Sequence, residues 1–322
     1  MRMMICALVA CALAAASAEA DDSSAALGAG GIVFTRNTPV RMAAEDLSVS
    51  PKAVRIRFEF ANDSDKDVET VVAFPLPDID MATFWNTPLG TVLNNPVNFV
   101  GFKAVVDGKP VPLSVEQRAF LKGKDVTTLV TGAGLPVNLI TDNGYQKLEA
   151  LSADKYKRLM AAGVVQGDGK TEFVPQWTVQ TKFYWTQRFP AHKAVVIEHS
   201  YQPVTGQSFF SAADAKGPYD GVNYCFDAPT RAAIQAKAAE RKKADPEGGG
   251  YLTAYQTDYI LKTASNWNGP IGRFRLTLDK LKPDNVLSLC WDGVLKKTGP
   301  TTFEAVRTSF APARDIRLIV LQ

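Results

Sequence analysis

Apolar and polar positions alternate over long stretches of this chain, and strands account for most of the pattern. From Val54 to Phe60 the alternation is unbroken, with Val54, Ile56, Phe58 and Phe60 on one side and Arg55, Arg57 and Glu59 on the other. Side chains of a strand point to opposite faces in turn, so this segment predicts a half-buried antiparallel strand. A polar turn, Asn62 to Asp67, follows; Val68, Thr70, Val72 and Phe74 then alternate until Pro75 and Pro77, which cannot donate to a ladder. The two segments are expected to pair as a hairpin. Phe102, Ala104 and Val106 lead into Asp107-Gly108, and Val111, Leu113 and Val115 return, which predicts a second hairpin. The longest alternation runs through Trp177, Val179, Thr181, Phe183, Trp185, Gln187 and Phe189. Pro190 to Lys193 turns the chain, and Val195, Ile197, His199 and Tyr201 alternate on the return before Pro203.

Between roughly Glu116 and Gly163 the pattern becomes helical. Asp125 is placed to cap a short helix ending at Gly132, and Ser152 to cap one over Ala153–Ala162, with Gly163 as its C-terminal glycine. After a loop rich in Gly, Ser and Asp, Asp227 and Pro229 open one clear helix, expected near 229–243, and the Gly248–Gly250 triplet follows it. Strands resume over Tyr255–Thr263, Arg273–Asp279, Asn285–Trp291 and Asp315–Leu321. Helices this few cannot supply βαβ crossovers. The expected fold is therefore mainly β with α additions, an antiparallel β-sandwich with a helical insertion at 116–163. Two β-rich domains are expected, 21–205 and 206–322.

The first twenty residues break the pattern. Arg2, the apolar run Ile5 to Ala16, and Ala18-Glu19-Ala20 read as a secretory signal cleaved after Ala20, leaving 302 of 322 residues. Leu8-Val9-Ala10-Cys11 imitates a lipobox, but the apolar run continues past Cys11 through Leu13 to Ala16. Nowhere after position 20 is there an apolar stretch of about 20 residues, so no membrane span is expected. A periplasmic or secreted location follows as an expectation.

Charge and cysteines narrow the picture further. The net charge of +3 is spread among interspersed acids and bases, and the one dense cluster, Arg241-Lys242-Lys243, is followed by Asp245 and Glu247, so no nucleic-acid partner is expected. Cys6 and Cys11 leave with the signal. Cys225 and Cys290 remain, both in apolar strand-like surroundings, and in an oxidising compartment they are expected to form one disulfide.

Several segments carry a resemblance: Leu47-Ser-Val-Ser-Pro51, Asn62 with Ser64 and Asp65-Lys66-Asp67, Phe74-Pro-Leu-Pro77, Phe183-Tyr-Trp185 with Phe189-Pro-Ala191, His199-x-Tyr201-x-Pro203, and Asn266-Trp-x-Gly-Pro-Ile-Gly-x-Phe274. Together they resemble a family of exported proteobacterial proteins, the domain of unknown function numbered 4424. The likeness spans nearly all the chain after the signal. It implies a periplasmic or secreted protein and brings no catalytic residue with it.

Candidate chemistry is sparse. His192 and His199 are the only histidines, and their odd separation places them on opposite faces of a strand. His199 falls on the apolar face with Val195, Ile197 and Tyr201, where a structural histidine is the simpler reading. No Gly-x-Ser-x-Gly elbow is present. Asp63-x-Asp65-x-Asp67 imitates the start of a calcium loop, but Val68 stands where glycine is needed and Phe74 where the bidentate glutamate belongs, so a turn is expected and no metal. Asp78 and Asp80 form a carboxylate pair of unknown separation. Trp177, Phe183 and Trp185 share one strand face and offer a stacking platform for sugars or peptides, or else the packing of a second sheet.

Two functions remain in view. The first is a non-enzymatic binding protein with a protein, glycan or lipid partner and no cofactor. The second is an envelope hydrolase with its site at the junction of the two β regions, using Asp or Glu with His199. His199 beside a carboxylate in an open cleft would favour the enzyme; His199 among apolar side chains would disfavour it.

Overall fold

A computed structural model describes residues 23–28, 31–34, 39–84, 93–141 and 143–322; the expected signal segment, its expected cleavage point after Ala20, Cys6 and Cys11 lie outside them. The molecule is mainly β with α additions, as its alternation predicts. An eight-stranded sheet runs in the order Lys296–Lys297, Thr302–Phe310, Ile271–Asp279, Val40–Ser50, Ala53–Asn62, Lys193–Tyr201, Lys103–Val106, Lys109–Pro110. A second sheet is built on Ser114–Leu121, Thr178–Phe189, Val68–Pro75, Ser23–Gly28 and Gly31–Phe34. Their apolar faces meet, and rings interleave across the gap: Phe60 with Phe189, and Phe102 with Phe74 and Phe183.

The alternation identifies the buried faces correctly but not the pairing. Ala53–Asn62 and Val68–Pro75 do not form a hairpin; the first belongs to the eight-stranded sheet and the second to its partner. Thr178–Phe189 and Lys193–Tyr201 are divided in the same way. In both cases the polar turn carries the chain over the edge of the sandwich, across the ~10 Å that separate packed sheets. The two crossings lie side by side and are tied together. Asn62 Nδ2 donates to the Phe189 carbonyl at 2.9 Å, Arg188 pairs with Asp67, and His192 Nε2 lies 2.9 Å from Asp65. Asp63 meets Arg41 instead, so the three aspartates of the calcium-loop imitation are spent on three separate partners at a corner.

The Asp107-Gly108 hairpin is present but short, Lys103–Val106 with Lys109–Pro110, and the chain then leaves for the other sheet as Ser114–Leu121. That strand corrects the start of the helical insertion. Residues 116–120 pair with Thr178–Phe189, and helices begin only at Thr127–Gly132, followed by Gly144–Glu149 and Ala153–Ala161.

A four-stranded sheet, Gly206–Phe210, Leu252–Tyr259, Ile316–Leu321 and Val286–Ser288, closes one end of the sandwich. Tyr259, Leu318 and Val320 on one face join the main core, while Ala254, Ile319 and Leu321 on the other form a smaller core with Phe210, Tyr224, Phe226 and Ile234. Being buried on both faces explains why Ile316–Leu321 is a nearly continuous apolar run. The helix Ala228–Ala244 covers the smaller core; the Asp227 carboxylate accepts from the Thr230 amide at 2.8 Å, the cap that the sequence predicts. A boundary at 205 does not separate hydrogen-bonded units, because Val40–Ser50 pairs in parallel with Ile271–Asp279 inside one sheet.

Candidate functional site

At the seam between the sandwich and the four-stranded sheet lies a cleft of about 200 Å³, lined by Leu76, Pro77, Asp78, Ile79 and Val100 on one side and by Tyr201, Pro203, Val204, Gly206, Val222, Tyr224, Gln256 and Asp258 on the other. Local sequence explains each wall. Pro75 and Pro77 end the Val68–Pro75 ladder, and the freed chain is pinned where the Leu76 amide donates to the Thr181 carbonyl at 2.9 Å. Asp78 is thereby held at the mouth, where Gln180 Nε2 donates to its Oδ2 at 3.1 Å. Pro203 ends the opposite strand and releases the chain toward Gly206. On the far wall the Cys225–Cys290 disulfide, with Cα atoms 5.0 Å apart, fixes the segment that carries Val222 and Tyr224. Cys225 itself has a left-handed φ of 54°, a turn conformation rather than the strand expected from its neighbours.

The cleft combines apolar walls with two carboxyls. Burial raises the pKa of Asp78, with Gln180 and the Lys182 charge opposing. Burial also raises that of Asp258, opposed by Arg317, its cross-strand partner, and reinforced by Asp315. The Tyr224 hydroxyl is likewise pushed up by burial and accepts from Gln256 Nε2 at 3.3 Å. Gln256 also reaches Asp220 at 3.2 Å, so its amide is oriented from both sides. Each group faces an environment that disfavours its anion, a common feature of binding and catalytic sites.

His199 is elsewhere. It is 3 % exposed, in the sandwich interior, with the rings of Phe58, Phe74, Phe102 and Trp185 all within 4.9–5.7 Å of its own. Burial depresses its pKa from the ordinary 6.5 to about 3, so it is neutral at physiological pH. The aromatic platform is corrected in the same way. Trp177, Phe183 and Trp185 are at most 5 % exposed, and they pack the sandwich rather than meet solvent. Trp177 Nε1 donates to the Val137 carbonyl at 2.8 Å, which seats the helical insertion against the sheet. Among the described residues, no group of three or more His, Cys, Asp or Glu side chains is arranged to hold a metal, and no helix is long and apolar enough to cross a membrane.

A family model, "Domain of unknown function (DUF4424)", matches residues 20–319. The chain belongs to the DUF4424 family. No curated protein matches it. It is similar to the crystal structure of a candidate nutrient-binding protein from Legionella pneumophila, at 15 % identity and a TM-score of 0.45, over 89 % of this chain and 68 % of that one. A likeness of that degree carries no argument about what this DUF4424 protein binds.

Of the residues that the sequence singles out, Asp78 lines the cleft and the Cys225–Cys290 bridge braces its wall; Asp80 instead bonds the Ala82 amide and Thr83 just beyond. Asp258, Tyr224 and Gln256 are not legible in the sequence as site residues. Their one signal is an acid on an alternating strand, Leu252–Tyr259, whose neighbours Thr257 and Tyr259 are fully buried. The fully buried acid among the described residues is Glu45. A bulge between Met42 and Ala44 shifts the phase of its strand by one residue and turns Glu45 inward, where the Tyr259 hydroxyl donates to it at 3.4 Å.

Proposed function

We propose that this protein is an exported, non-enzymatic binding protein that holds a small amine-bearing ligand in the seam cleft. The observation that carries the reading is the pair of carboxyls, Asp78 and Asp258, both raised by burial in a cleft with mostly apolar walls. Asp258 is half-buried and Asp78 stands at the exposed mouth, and a cationic ligand adds counter-charge beyond that of Arg317 and Lys182. Pairing with an amine offsets the desolvation cost and favours the ionised form of each carboxyl. The phenol of Tyr224 and the amide of Gln256 add fixed hydrogen-bonding groups for orientation, and the apolar walls exclude water. The hydrolase alternative loses its base, since His199 faces four rings and does not line the cleft. Export is supported by the N-terminal charge and apolar pattern and by a disulfide, which persists in oxidising compartments.

The test is a thermal-shift and calorimetric panel of amino acids, diamines, amino sugars, neutral sugars and fatty acids against the purified protein. At least one amine is expected to raise Tm by mass action, and Asp258→Asn should weaken its binding tenfold or more. Affinity should fall as pH drops through the raised carboxyl pKa values, because the cation then meets a neutral acid. Binding confined to the neutral or acidic compounds, or amine binding indifferent to Asp258→Asn, overturns the reading.

A further inference from the structure

The outer face of the eight-stranded sheet carries a row of exposed cations outside the carboxyl-bearing cleft. Register places its side chains in rows that cross the strands, and two adjacent rows differ in chemistry. One row runs Arg275, Asp46, Arg57, Glu198. It neutralises itself: Arg275 and Arg273 both reach Asp46, at 3.3 and 2.9 Å, and Arg57 lies 4.0 Å from Glu59. The next row runs Thr277, Ser48, Arg55, Ser200, Lys103. It holds two cations and three hydroxyls, and its one carboxylate is Glu304, opposite Thr277 at the far end from Ser200. Neither Arg55 nor Lys103 has an ion-pair partner among the described residues, and both are exposed. An open groove of about 400 Å³ lies over both rows, and a neighbouring one of about 390 Å³ extends it to Lys52 while sharing Arg55, Lys103 and Ser200.

We propose that this row binds a phosphate group, seated over Ser200 with Arg55 and Lys103 on either side. Adjacent strands lie ~4.8 Å apart, so Arg55 and Lys103 flank Ser200 at ~10 Å from each other, and both side chains are long enough to reach a group seated over its hydroxyl. The guanidinium offers a fork that matches phosphate oxygens, the ammonium a point charge, and the serine hydroxyls short donors from below. The acids around the seat are Asp46 and Glu198 in the adjacent row and Glu304 at the far end of its own. Asp46 is already engaged by two arginines. Glu198 flanks the row and Glu304 ends it, and the seat over Ser200 is left net positive. The site rests on register and charge, and stands whether or not the cleft takes an amine.

Calorimetric titration with inorganic phosphate at low ionic strength tests the site directly. Saturable binding at one site per chain is expected, weakened at least tenfold in Arg55→Gln and in Lys103→Gln and less than twofold in Arg57→Gln. Arg55 and Lys103 are exposed and Arg57 is half-buried on the same outer face, and an unchanged circular dichroism spectrum and Tm confirm that each variant folds. Absence of saturable binding, or equal losses in Arg57→Gln and Arg55→Gln, overturns the proposal, the latter because general surface charge would then explain it. Co-sedimentation with phosphatidylcholine vesicles, with and without phosphatidylglycerol, separates the sources. Capture by the anionic vesicles alone, lost in Arg55→Gln, assigns a lipid headgroup; phosphate binding without vesicle capture assigns a soluble phosphorylated ligand.

Discussion

The sandwich interior around His199 and the smaller core around the Cys225–Cys290 bridge solve the same problem by different means. The first gathers rings from two sheets and can bury even an imidazole among Phe58, Phe74, Phe102 and Trp185. The second has one sheet face, one helix with Ile234 as its buried residue, and a handful of aromatic side chains from loops. Tyr224 and Phe226 come from a segment with no regular structure, which apolar contact alone holds weakly. A covalent link 65 residues along the chain fixes it to the segment that follows Val286–Ser288. Size alone therefore decides where a disulfide is useful. The wall of the cleft belongs to the region that needs it.

The largest effect that would sharpen this contrast comes from cutting the bridge. Closing a loop of 65 residues removes denatured-state entropy worth about 4 kcal/mol in the chain-entropy model, and strain usually lowers the realised gain. Cys225→Ser with Cys290→Ser should lower Tm. In hydrogen exchange, protection should fall first in Gly206–Phe210 and the Ala228–Ala244 helix, with the sandwich strands unaffected at the same temperature. Uniform loss of protection would mean that the two cores are one cooperative unit and that the contrast is wrong.

Acid acts on the other core. Because the folded protein holds the His199 pKa near 3 and the unfolded chain near 6.5, only the unfolded state takes up a proton between those values. The stability that the neutral imidazole permits is complete above pH 6.5 and is lost as pH falls, by about 3 kcal/mol at pH 4. In an NMR titration, the His199 ring signals should stay constant down to pH 4.5. A His199 midpoint above pH 5.5 would show that the sandwich interior is wet.

The sandwich core is visible in the sequence as buried faces but not as a pairing, and the smaller core is not visible at all. Alternation over 54–60, 68–74, 177–189 and 195–201 states which side chains leave water; it carries no information on which strand supplies the ladder. A six-residue polar turn serves equally for a hairpin and for a crossing between sheets, and here it crosses. The aromatic face of Trp177, Phe183 and Trp185 was legible for the same reason and packs as core. The disulfide was legible because only two cysteines follow the first twenty residues. The cleft was not, since Asp78 and Asp258 stand 180 positions apart and meet only where the four-stranded sheet closes the sandwich. The bulge that turns Glu45 inward was hidden as well, because one extra residue shifts the phase without leaving a break in the pattern.

The smallest expected effect joins the two regions at their seam. Asp258 sits on the strand whose faces contribute to both cores, and burial raises its pKa. A carboxyl raised in the folded state stabilises the protein below its unfolded pKa, and that stabilisation is lost as pH rises through the folded value. At pH 7 the ionised group is therefore a cost. Asp258→Asn keeps the shape, removes the charge, and should raise Tm by about 1–2 °C at pH 7 while leaving it unchanged or lower at pH 3. The opposition of Arg317 bounds the gain, because the arginine loses its cross-strand partner when the charge goes. Arg317→Gln supplies the complementary measurement: with the counter-charge removed, Asp258 is more costly and Tm should fall at pH 7. A lower Tm for Asp258→Asn at pH 7 would make Asp258–Arg317 a net stabilising pair. The carboxylate would then belong to the architecture of the seam, and the amine-binding role assigned to it would lose its physical motive.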